Sequence, residues 1–334
     1  MAFPEMYYRR VISIELQRLL MCGGELHWLY KLVKERKDLD FLIAANNSKQ
    51  HVFVYRGTTR LLDIALVGGL VRISAHQKYT DLAHKNNLDI YRDRDLSDLD
   101  FEYGFIQLIS YIPKDTHYDN KKEGYFQNLF SRQFGILSEG TEDFVVIDKE
   151  VVIGYQNMQI KEKYFGDHQK TFKNIYGCLS KHLHNVGSKL SEKDPGNEID
   201  FLAVDKRGKV LLIEFKHSSN PAGIYLSPIQ IGLYCHIFCD YISRFPQAFK
   251  KDISDMLEQK KEMGLISKNF PKVNLSDKIV PVLIIAEYNK KSSALNTFKA
   301  VLKVCRDKFE GNTFLSELEV YGYNEDKKLE QLPY

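Results

Sequence analysis

The chain has 334 residues, 44% of them hydrophobic and 27% charged, with a formal net charge of +3. This is enough apolar material for a real core and enough length for two domains, and it excludes a disordered tail, a collagen-like fibre and a histone-like polycation. The five cysteines, Cys22, Cys178, Cys235, Cys239 and Cys305, form no CxxC pair. With no signal-peptide core near the N-terminus and no run of about 18 apolar residues, they point to a reducing compartment, the cytoplasm, and to no membrane.

In chain order, residues 5–37 place apolar positions at helical spacing, with Gly23-Gly24 as a break. Residues 40–75 hold short Val-, Ile- and Leu-rich runs separated by turn formers, which predicts strands. Residues 81–100 are polar, and "FEYGFIQLISYI" reads as a strand or a short buried helix. "PKDTHYDNKKEG" combines a proline, turn formers and charges, so the domain junction is expected near residue 118. Residues 1–118 are then an α+β accessory domain of unassigned role, and 119–334 a second domain. In the latter, a helix over roughly 123–134, a strand pair around "DFVVIDKEVVIGY" and a helix around "QKTFKNIYGCLSKHLHNV" precede a hairpin at 196–217. A long helix through "LSPIQIGLYCHIFCDYISRF", a charged helix, the strand "KIVPVLIIAEY", another helix and the strand "LSELEVYGY" follow.

The hairpin "GNEIDFLAVDKRGKVLLIEFKH" is mostly apolar yet carries Glu198, Asp200, Glu214 and Lys216. A three-residue loop of Lys206, Arg207 and Gly208, with Gly208 left-handed, pairs Asp205 with Lys209. Continued along the strands, that register sets Asp200 across from Glu214 and Glu198 across from Lys216. Alternation then puts all four on one face, at the end away from the turn. Opposed carboxylates repel and are costly to bury. A divalent cation such as Mg²⁺ relieves the conflict, with Asp200 and Glu214 as hard oxygen ligands and Lys216 placed to act on water or a phosphate. A solvated ion-pair ladder at a sheet edge accounts for the same four residues equally well.

Asp200, a short hairpin and then Glu214-Phe215-Lys216 on an apolar strand resemble the PD-(D/E)XK nuclease superfamily. Gln230-Ile-Gly-Leu-Tyr234 on the next helix resembles the Gln-x-x-x-Tyr motif of its exonuclease-like branch. The resemblance spans about residues 120–290 and is sharp only over 196–234. It implies an α/β fold, a restriction-endonuclease-like mixed sheet flanked by helices. It implies Mg²⁺, or Mn²⁺, held by Asp200, Glu214 and the Phe215 carbonyl, with Lys216 positioning water and Gln230 and Tyr234 supporting the site. It implies a nucleic-acid partner, DNA favoured, and leaves a homodimer open. Many members add a glutamate from the first helix, for which Glu123 is the candidate and Glu162 a weaker one. The proline before the family's aspartate is absent, with Ile199 in its place. A non-enzymatic nucleic-acid binder or a protein-interaction module on the same fold is the alternative. The basic stretch "KHLHNVGSKLSEK" and the loop "KHSSNPAG" are the candidate phosphate contacts outside the cluster.

Overall fold

The computed structural model describes residues 5–45, 50–114, 116–182, 198–289, 291–308 and 314–333. The chain divides into two compact units. The N-terminal unit holds Arg9–Glu142 with Asp255–Phe270; the C-terminal unit holds the residues up to Tyr8, then Asp143–Ser254 and the chain from Pro271 onward. Along the chain the division falls between Glu142 and Asp143, not near residue 118. The turn-rich stretch at 113–124 instead leads from one helix to the next inside the N-terminal unit.

A short strand, β1 (Met6–Tyr7), belongs to the C-terminal unit, and the chain then enters the N-terminal unit. Helices α1 (Ile14–Leu20) and α2 (His27–Glu35) flank the Gly23-Gly24 break. Strands β2 (Asp40–Ala45), β3 (Gln50–Arg56), β4 (Thr59–Val67), β5 (Leu70–Ser74) and β6 (Asp93–Asp95) form an antiparallel sheet in chain order, with α3 (Gln77–Lys85) before the last strand. Residues 102–111 are helical, α4 (Glu102–Tyr111), followed by α5 (Thr116–Asp119) and α6 (Glu123–Gln133). Gln259 explains why a distant segment joins this unit: its side chain accepts from the Ile12 amide at 2.9 Å and donates to the Ile12 carbonyl at 2.8 Å.

The C-terminal unit contains β7 (Phe144–Val151), β8 (Gly154–Tyr155), α7 (Met158–His182), β9 (Ile199–Asp205) and β10 (Val210–His217). It continues with α8 (Pro221–Arg244), α9 (Pro246–Glu262), which passes into the N-terminal unit after Ser254, β11 (Ile279–Ala286), α10 (Ala294–Lys308), β12 (Glu319–Tyr323) and β13 (Leu329–Gln331). The six-stranded sheet has the order β13-β12-β11-β10-β9-β7. β9 runs antiparallel to both of its neighbours, β7 and β10, whereas β11 runs parallel to both β10 and β12. The small β1–β8 ladder is separate. The protein is thus mixed α/β.

α8 covers the β10–β11 crossover, and its sequence shows why it can be long. Asn220 caps it, with its side-chain oxygen accepting from the Gly223 amide at 2.9 Å, and Pro221 fits the first turn, where no amide is needed. Pro228 removes an internal amide that would reach the Ile224 carbonyl. The buried Ser227 hydroxyl donates to that carbonyl instead, at 2.8 Å. By length and composition α8 is apolar enough to cross a bilayer, yet 67% of its apolar window is buried within the fold, as a core helix requires.

Candidate active site

The hairpin turn sets the geometry. Gly208 has φ 80°, a left-handed conformation that suits glycine. Its amide donates to the Asp205 carbonyl at 3.0 Å, and the Asp205 amide donates to the Lys209 carbonyl at 3.0 Å. The Asp205 carboxylate accepts from the amides of Arg207 at 2.9 Å and Lys209 at 2.7 Å, locking the loop. The ladder then runs from Val210–Val204 to Ile213–Phe201, the expected register. Its continuation sets Asp200 across from Glu214. At that point a side chain takes over from the backbone, as the Phe215 amide donates to Asp200 Oδ2 at 2.7 Å.

Asp200, Glu214 and Lys216 come together. The Lys216 ammonium contacts Glu214 Oε1 directly and lies 3.7 Å from Asp200 Oδ2. Exposure is graded: Glu198 is exposed, Asp200 is half-buried, and Glu214 is 2% exposed. β10 lies between β9 and β11, inside the sheet. A solvated ladder at a sheet edge does not fit a buried carboxylate on an interior strand. Burying an ion pair costs several kcal/mol per ion before the mutual attraction repays it, so stability alone does not explain the arrangement.

The first turn of α8 closes on the lysine. A Cβ at Gly223 would lie 3.0 Å from Lys216 Cδ and 2.5 Å from Asn220 Nδ2, so a larger residue there would displace the capping asparagine and press on the lysine stem. Three turns on, Tyr234 is 2% exposed and its hydroxyl hydrogen-bonds the Glu198 backbone. Burial, and then the nearby Glu214 and Asp200 carboxylates, push the phenol well above its ordinary pKa. Tyr234 is therefore a neutral hydroxyl at the carboxylate end. Gln230 lies one turn before it on the same helix, half-buried.

Glu123 opens α6 in the N-terminal unit, whereas Asp200 and Glu214 lie in the C-terminal unit. Among the described residues no three His, Cys, Asp or Glu side chains form a metal-ligand group. Glu162 is an exposed residue of α7. Residues 183–193 of the basic stretch lie outside the described residues. The loop after Lys216 is ordered by local bonds, with His217 Nδ1 2.7 Å from Ser219 Oγ and 3.1 Å from the Ser219 amide.

One position escaped the sequence reading. The pairs Lys149–Phe201 and Val151–Ile199 flank Glu150 and set it across from Asp200 on β7. Glu150 has φ 49°, a left-handed conformation that is uncommon away from glycine. Only the pairing of β7 with β9 reveals it, since nothing local marks "DKEV" as irregular.

The donor set is compatible with a hard divalent cation. Asp200 and Glu214 supply carboxylate oxygens beside the Phe215 main chain, and Mg²⁺ is commonly held by one or two carboxylates with water completing its shell. Lys216 now stands where positive charge is needed between them. What fold and site define is a mixed α/β protein with a buried acid–lysine cluster at the far end of a central hairpin. Compared with protein-family models, curated proteins and solved structures, the chain matches none.

Proposed function

We propose that the protein is a metal-dependent nuclease of the PD-(D/E)XK type, in its exonuclease-like branch. It would hydrolyse phosphodiester bonds in nucleic acid, DNA favoured, in the setting of defence, restriction or repair. The observation that carries this reading is the contact of Lys216 with Asp200 and Glu214 at the end of an interior hairpin. The topology supports it. Three antiparallel strands, a crossover helix and a parallel strand follow in order, with the carboxylates on the second and third strands. This is the arrangement expected of a restriction-endonuclease-like sheet.

In the reaction, water attacks the phosphorus, the P–O bond to the leaving sugar oxygen breaks, and that oxygen takes a proton. Mg²⁺ or Mn²⁺ at Asp200 and Glu214 would supply Lewis-acid stabilisation of the phosphate charge. The chain's own residues divide the rest. Asp200, half-exposed, meets the substrate side, and Glu214 anchors the cluster from within. The Lys216 ammonium, released from full engagement with the two carboxylates, steadies the non-bridging oxygens or holds the attacking water. Tyr234 stays protonated and fixes the start of β9 through Glu198. Gln230 extends that helix face toward the bound strand.

Incubation of the purified chain with labelled single- and double-stranded DNA and RNA, with Mg²⁺ or Mn²⁺, tests the proposal. Metal-dependent shortening of at least one substrate is expected. If all four stay intact while nucleic acid still binds, the chain is a binding module on this fold rather than an enzyme.

A further inference from the structure

A cavity of about 320 Å³ lies within the C-terminal unit, between the first turns of α7, the end of β7 and α8. Its lining combines the aromatic residues Tyr155, Phe165, Tyr234 and Phe238 with aliphatic ones from β7 and α8, and Lys161 also lines it. Phe238 and Tyr234 are buried, Tyr155, Lys161 and Phe165 are half-buried, and Asn157 and Met158 are exposed at its mouth. The Lys161 ammonium lies 5.7 Å from the centre of the Phe165 ring.

Two features join this cavity to the acid–lysine cluster. Tyr234 belongs to both, since it lines the cavity and its hydroxyl meets the Glu198 backbone. Val151 lines the cavity too, and it pairs with Ile199, the residue between Glu198 and Asp200. A group in the cavity therefore lies against Tyr234, one side chain away from the carboxylate end of the hairpin. The volume is at the small end for ligand pockets and suits one flat ring system. Aromatic walls favour a π-face, and a cation at the rim favours an attached anion.

We propose that the cavity holds an unpaired nucleobase of the strand whose phosphate lies at Asp200, Glu214 and Lys216. The substrate class is then single-stranded nucleic acid, or a duplex end carrying an unpaired nucleotide. A paired base has its faces stacked and its edge engaged, so it cannot enter without leaving the helix. This inference rests on the proposed nuclease reading and adds to it where the strand's base goes.

The test is equilibrium binding of a fluorescein-labelled DNA oligonucleotide to the full chain, read by anisotropy in EDTA so that no cleavage occurs. The intact single strand is compared with strands of equal length and charge that carry one abasic site at each position in turn. Base–aromatic stacking predicts about tenfold weaker binding when the abasic site falls at the cavity. That difference should vanish in Phe165→Ala, and be retained in part by Phe165→Leu, which keeps an apolar filling if the alanine variant does not fold. Wild-type protein that binds every abasic strand as tightly as the intact one overturns the inference. If such protein still cleaves with Mg²⁺, only the base pocket is lost. If base-dependent binding occurs without cleavage under any metal, the pocket stands and the catalytic reading falls. If no oligonucleotide binds, the pocket reading falls, and if none is cleaved with Mg²⁺ either, both fall.

Discussion

Lys216 is the residue on which stability and chemistry meet. Its ammonium neutralises Glu214, a carboxylate only 2% exposed on an interior strand. Removing one member of a buried pair leaves the other charge uncompensated, which typically costs about 3 kcal/mol or more. Lys216→Met, which keeps most of the stem packed against Gly223, should therefore lower stability by about 3 kcal/mol in metal-free buffer. If Asp200 and Glu214 hold a divalent cation, Mg²⁺ should restore part of that loss, and raise the melting temperature more in the variant than in the wild type. Thermal denaturation with and without Mg²⁺ decides this. An unaltered metal-free melting temperature, or no Mg²⁺ response in the variant, contradicts the site as described. The meeting of Asp200, Glu214 and Lys216 was legible from the three-residue turn and alternation together, because the turn sets the register and a strand's period fixes which side chains share a face. Glu150 was not, since its place opposite Asp200 depends on a strand more than forty positions earlier in the chain.

At the scale of elements, the hairpin carries the account. Gly208 has φ 80°, and a Cβ there would collide with the Asn274 carbonyl. Gly208→Ala should cost at least about 2 kcal/mol, from left-handed strain plus that collision. Chemical denaturation measures it, and an alanine variant as stable as the wild type would show that the turn does not hold the register. A second test concerns α7 against α8. His236 on α8 is pushed down to about 4, first by burial and then by His168 of α7, whose Nε2 lies 3.5 Å from Asp240. Phe172 packs on the same ring. The unfolded imidazole titrates near its ordinary 6.5. Between pH 6.5 and 4 the unfolded chain thus takes up a proton that the folded one refuses, and stability falls as pH falls through that window. His236→Phe should flatten the slope of melting temperature against pH over that range, and an unchanged slope argues against a neutral buried His236. Turn chemistry made β2 to β5 and the main hairpin readable. The two-residue strand β1 escaped because it is too short to show a period, and β8, inside the run read as a strand pair, pairs with β1 while β7 pairs with β9. α7 begins at Met158 rather than near residue 169, and α4 is helical where a short apolar run left strand and helix equally open.

For the whole molecule, the chain's path matters more than its linear halves. Residues up to Tyr8 belong with the C-terminal unit, and Asp255–Phe270 with the N-terminal one. The turn-rich stretch near residue 118 suggested a simple division because turn formers mark loops, and loops occur inside units as well as between them. A chain cut to start at Asp143 loses β1, its pairing of Met6 with Tyr155 and Tyr7 with Gly154, and the Tyr8 hydroxyl that donates to Asp148. Asp148 is 1% exposed, so the loss of that donor should cost about 3 kcal/mol, and the fragment should melt well below the full chain or fail to fold. A fragment that melts with the full chain contradicts the assignment of β1 to this unit. The central claim is that Asp200, Glu214 and Lys216 form a working phosphodiesterase site. Its most direct test is the single-turnover cleavage rate of a labelled single strand with Mn²⁺, for wild type, Asp200→Asn and Lys216→Met, under conditions where all three are folded. Metal-dependent cleavage by the wild type and a loss of about two to three orders of magnitude in each variant are expected; cleavage by either variant at the wild-type rate contradicts a working site at these three residues.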